Sequence, residues 1–122
     1  MKLLTKEIRD RLKRNWKENQ KHRLDVYHQG DTIDHRPVVK FFDPAGAGTW
    51  LFTELNAANG DTLFGLCDLG FGTPELGSVS LAEITGFRGR FGLGIERDKH
   101  FTADKTLSEY ADKARKSGGI AA

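Results

Sequence analysis

Three short runs rich in β-branched, aromatic and leucine residues, Val38 to Phe42, Thr49 to Leu55 and Thr62 to Leu66, follow one another with turn chemistry between them. This succession constrains the fold more than any other feature. The first connection, Asp43-Pro44-Ala45-Gly46-Ala47-Gly48, has proline to fix φ and glycines to permit positive φ. The second centres on Asn59-Gly60, the strongest short hairpin signal. The three runs read as consecutive strands of an antiparallel meander. A two-residue turn at Asn59-Gly60 places Leu55 opposite Phe64, Thr53 opposite Leu66 and Phe52 opposite Cys67. Both faces then carry apolar groups, so each face needs a cover.

The cover is sought in the flanking segments. Leu4, Ile8, Leu12 and Trp16 recur every four residues and Thr5 can cap them, so a helix is expected over Leu4–Asn19, with Trp16 in its core stripe. Residues 20–36 lack periodicity, hold His22, His28 and His35, and read as a polar loop with scattered surface histidines. A fourth strand is expected from Glu75 to Val79, and Ser80-Leu81-Ala82-Glu83 fits a capping box opening a short helix near 81–85. The glycine-rich run Gly86–Gly94 reads as an irregular loop burying Phe87 and Phe91, and Ile95 to Phe101 as a short edge strand. Thr106-Leu107-Ser108-Glu109 opens a C-terminal helix over 106–117, with a frayed tail at 118–122. The expectation is one α+β domain over 1–122: an N-terminal helix, a small antiparallel sheet of three to five strands with the β body at 37–101, and two further helices around one core.

Charge is distributed unevenly along this arrangement. Residues 1–23 hold nine Lys and Arg against three acids, a net of +6, and with the whole chain at +2 the remainder carries −4. On a helical projection Lys2, Lys6, Arg9, Lys13 and Lys17 fall within an arc of about 80°. A continuous cationic face of this kind can neutralise successive phosphates and release counterions, although a solvated outer face has the same pattern. Arg88 and Arg90, among the glycines of 86–94, offer a second contact of the same type. The expected partner is anionic, DNA first, with another protein as the alternative.

Catalytic chemistry is sought where acids and imidazole concentrate. In a strand, Glu96, Asp98 and His100 share one face, a spacing that can hold a divalent cation, with Glu54 and Asp68 on neighbouring strands adding carboxylates. The alternative is a salt-bridged edge strand, charged against edge pairing. Lys40, Glu54 and Asp68 each interrupt an apolar strand; a structural ion pair across the sheet or an exposed strand end is the expected account of them, with catalytic carboxylates beside a lysine as the alternative. No cofactor is expected otherwise; Mg or Mn enters only with a nuclease, through Glu96 and Asp98. Cys67 is the one cysteine and reads as a small buried hydrophobe; its solitude excludes an intramolecular disulfide and points to a reducing, cytoplasmic setting. No apolar run is long enough to span a bilayer, so no membrane partner is expected.

Several stretches add up to a family resemblance: Lys2-Leu3-Leu4-Thr5, Pro37-Val38-Val39-Lys40-Phe41-Phe42-Asp43-Pro44, Thr49-Trp50 with Thr53-Glu54, Asp61 to Leu66, Glu75-Leu76-Gly77, and Ile95-Glu96-Arg97-Asp98 with His100-Phe101. In this order they resemble the uncharacterised bacterial family catalogued as domain of unknown function 2958, over nearly the whole chain. The resemblance implies cargo of plasmids and integrative elements. With the basic face of the first helix, the expected function is a binding module for an anionic partner such as DNA; the alternatives are a metal-dependent single-stranded DNA endonuclease and a protein-protein adaptor or inhibitor of host defence.

Overall fold

The structure is a computed structural model describing residues 2–25 and 31–122. Helix α1 runs over Lys6–Leu24, β1 over Val39–Phe42, β2 over Thr49–Leu55, β3 over Thr62–Asp68 and β4 over Glu75–Ser80. Helix α2 (Leu81–Gly86), a 3₁₀ turn at Arg90–Gly92, the two-residue strand β5 (Glu96–Arg97) and helix α3 (Leu107–Ser117) complete the chain. All strand pairs are antiparallel and the sheet order is β4-β3-β2-β1-β5, so the meander expected from the sequence is continued at both edges.

The strands are apolar on both sides, and the sheet accordingly divides the interior into two clusters rather than one core. Val39, Phe41, Trp50, Phe52, Leu55 and Leu63 face Leu3, Leu4 and Leu12 of the N-terminal region, together with Ile84 of α2 and Ile95. On the opposite face Leu51 and Leu66 meet Leu107, Tyr110, Ala111 and Ala114 of α3. Burying one such leucine or phenylalanine contributes about 1.5–3 kcal/mol, and helices on both faces satisfy what one helix cannot. Trp16 is only partly buried and stands outside the first cluster.

Four local expectations are corrected. Helix α1 continues past Asn19 to Leu24, because Asn19 is itself fully buried against the sheet. Lys21, His22 and Arg23 in the last turn suit the negative end of the helix dipole. The β2–β3 register is Leu55 with Leu63, Glu54 with Phe64, Phe52 with Gly65 and Leu51 with Leu66, with a bulge between Phe52 and Glu54. The connection is longer than a two-residue turn. Asn56 Oδ1 accepts the N–H groups of Ala58 and Asn59, and Asn59 Oδ1 those of Asp61 and Thr62, so paired side-chain turns replace the tight hairpin.

The other two corrections concern the C-terminal third. Strand β5 stops at Arg97, where the Asp98 carboxylate accepts the His100 N–H and bends the chain away. The tail is anchored rather than frayed. Ile120 N–H donates to Asp68 Oδ2 at 2.9 Å and Lys40 Nζ donates to the Ala122 backbone oxygen at 2.6 Å.

Candidate functional site

The N-terminal segment, the first turns of α1, the outer side of α2 and the end of β5 enclose an open groove of about 750 Å³. Its charged lining is Lys2, Lys6, Arg9, Arg97 and Lys99, with no carboxylate among the lining residues, and Thr5 and Thr85 add hydroxyls. One contact builds the groove: Arg97 Nη1 donates to the carbonyls of Lys2 at 2.8 Å and Leu3 at 2.7 Å, tying the start of the chain to the sheet edge. Thr5 Oγ1 accepts the Ile8 N–H at 3.1 Å and starts α1 at this point, so the positive end of the helix dipole adds to the cationic side chains.

The expected basic residues separate into three groups. Lys2, Lys6 and Arg9 line the groove. Lys6 also holds Asp10 at 2.7 Å, and this contact raises the lysine and lowers the carboxylate from their usual ranges. Lys13 and Lys17 lie farther along α1, Lys17 exposed and Lys13 partly so, without an ion pair among the described residues. Arg88 and Arg90 do not line the groove; Arg88 donates to the carbonyls of Thr85 and Phe87 instead.

The candidates for metal or acid–base chemistry are brought together only in part. Glu96, Asp98 and His100 line a second open groove of about 500 Å³ with Lys40, Arg97 and Lys99. There Asp98 Oδ1 is held by the His100 N–H and Oδ2 stands 3.6 Å from Lys40 Nζ. Asp68 accepts N–H groups from Gly70 and Ile120, and Glu54 accepts from Asn19. Lys40, Glu54 and Asp68 thus find separate partners rather than one another. Among the described residues, no three His, Cys, Asp or Glu side chains gather to hold a metal ion. Cys67 is partly buried, and desolvation with the nearby Glu75 charge pushes its thiol up to about 11, away from thiolate chemistry.

The model of the family described as protein of unknown function DUF2958 matches residues 3–121. The chain belongs to that family. No curated protein and no solved structure matches it. No helix among the described residues of this DUF2958 protein is long and apolar enough to cross a membrane.

Two features of this DUF2958 protein escaped sequence reasoning. Arg97 and Lys99 join a cationic groove with Lys2 although 95 and 97 positions separate them from it, and no local pattern signals such a meeting. The second is a cavity of about 330 Å³ whose lining brings Arg23, Asp34, His35, Glu54 and Ser108 together. Glu54 is 7% exposed, and burial raises its pKa above the usual carboxylate range against the opposing pull of the Asn19 hydrogen bond, His35 and Arg23. His35, expected on the surface, is mostly buried, with Nε2 3.0 Å from Glu18 Oε2 and Nδ1 without a hydrogen-bond partner among the described residues. His28 lies outside the described residues.

Proposed function

We propose that this DUF2958 protein is a binding module for the sugar-phosphate backbone of DNA, seated in the groove between the N-terminal segment and β5 and extending along α1 over Lys13 and Lys17. The observation that carries this reading is the groove lining itself, five cationic side chains and no acidic one, with Lys6 alone paired, among the described residues, to a carboxylate outside the lining. Such a surface attracts a polyanion by releasing its counterions, independently of base sequence. Trp16 adds to it, because a partly exposed indole on the helix that carries the basic arc is suited to stacking on an unpaired base.

The test is fluorescence anisotropy with labelled single- and double-stranded DNA across a salt series, comparing the native chain with a Lys6→Ala/Arg9→Ala/Lys99→Ala variant. These side chains lie outside both apolar clusters, so the variant is expected to keep the native circular-dichroism spectrum. Binding is expected to weaken for every sequence, and for duplex DNA the slope of log K against log salt to fall by about 0.9 for each phosphate contact removed. Equal affinity and equal slope in the two proteins reject the groove as the contact surface.

A further inference from the structure

The loops after β1 and β3 meet α2 and the 86–94 segment around an apolar groove of about 430 Å³, separate from the basic one. Its lining includes Trp50, Phe71, Val79, Ile84, Phe87 and Ile95, and the charged groups on it are Asp43 and Glu83, both acidic. Beside it stands a side chain of the opposite character. Phe91, expected to be buried, is 90% exposed at φ 60°, a conformation that costs a non-glycine residue on the order of 1 kcal/mol. The Gly89 N–H to Leu93 carbonyl bond at 2.8 Å and the Leu93 N–H to Arg90 carbonyl bond at 3.1 Å hold the turn closed, so the ring projects from a braced loop. Its neighbour Arg90 is exposed, and neither Arg90 nor Glu83 has an ion-pair partner among the described residues.

We infer that two copies of this chain associate about a two-fold axis, Phe91 of each entering the apolar groove of the other and Arg90 meeting the carboxylates of Glu83 and Asp43. Charge complementarity selects the second copy as the occupant: the groove supplies apolar wall and negative charge, and the knob supplies an aromatic ring and positive charge. A two-fold contact also requires knob and groove on one surface. That condition is met, because Phe87 lines the groove at the base of the same loop and a Cβ built on Gly89 lies 3.3 Å from Asp43 Oδ2. Phe91 does not fill its own groove, being almost wholly in solvent. An exposed aromatic ring beside an apolar groove, with charge at its rim, is the kind of surface that association covers.

Sedimentation equilibrium over a range of protein concentrations tests the contact. The native chain is expected to approach twice its 13.6 kDa mass, and Phe91→Ala, whose side chain supports nothing within its own copy, to weaken association at least about tenfold, the effect of losing a central aromatic anchor. Arg90→Glu alone sets a carboxylate against Glu83 of the other copy, and Glu83→Arg alone sets a guanidinium against Arg90, so each single variant is expected to remain monomeric. An equal mixture of the two restores opposite charges across the contact and is expected to form a mixed dimer, which also shows that each variant is folded. A native chain that stays at 13.6 kDa at every concentration overturns the inference. So does a dimer indifferent to Phe91→Ala, or a mixture that associates no better than its components.

Discussion

Gly65 sits where the β2 bulge brings two backbones together. A Cβ there lies 1.9 Å from the Leu51 carbonyl oxygen and 2.8 Å from Phe52 Cα, both main-chain atoms that no rotamer change can move. Gly65→Ala is therefore expected to cost about 1–3 kcal/mol through overpacking, read as a lower denaturant midpoint. Glu54 acts on stability through its charge. Burial raises its pKa in the folded protein, so folding favours the protonated form. Its contribution is complete below the ordinary carboxyl range and is lost as pH rises through the raised value. The native chain is expected to lose thermal stability over that window, while Glu54→Gln stays flat across it. Asp61, lowered by the Ala82 N–H and the Ser80 hydroxyl, has the opposite sign and acts at more acid pH, so the two effects separate in a melting series. An identical pH profile for native and Glu54→Gln proteins excludes Glu54 as the source.

At the scale of elements, α1 is held to the sheet by more than its apolar stripe. Asn15 Nδ2 donates at 3.0 Å to the Thr53 carbonyl, which lies at the bulge, and Asn19, one turn on, donates from Nδ2 to Glu54 Oε2 at 2.8 Å. Asn19 Oδ1 accepts the Ile33 N–H at 2.6 Å, so one buried amide joins helix, strand and the segment leading into β1. Asn19→Ala leaves a buried carboxyl and an N–H without their partner, and is expected to destabilise by about 1–3 kcal/mol in chemical denaturation. An exposed polar residue of α1 changed to alanine is expected to do far less. Helix α3 is fixed differently. Thr106 N–H donates to Glu109 Oε1 at 2.9 Å, and the Asp34 carboxylate takes both the N–H and the hydroxyl of Ser108. The first of these was readable as a capping box because both partners lie within one turn.

For the whole molecule, the decisive property is where charge accumulates once the chain is folded. Of the N-terminal excess of +6, Lys2, Lys6 and Arg9 come to the edge of the sheet at β5, where Arg97 and Lys99 add to them, and the proposed DNA affinity should fall with salt as a property of this assembled surface. Strand succession, the order of the helices and the α+β class were legible in the sequence, because they depend on periodicity and on residues a few positions apart: the four-residue apolar repeat, the apolar runs of the strands and the capping pairs. Register, strand termination and the surroundings of each polar residue were not. Thr53 at the bulge accepts from Asn15, β5 ends at a carboxylate turn, and His35 meets Glu18 of α1, each through a partner that no local pattern announces. The basic arc of α1 was visible, whereas the groove depended on Arg97 reaching back to the Lys2 and Leu3 carbonyls. What the sequence by itself determined is thus the set of interactions that act along the chain, where separation is short and closure costs little entropy. Tertiary structure alone decided which distant charges share a surface and which are parted, because only packing on both faces of the sheet brings those positions together.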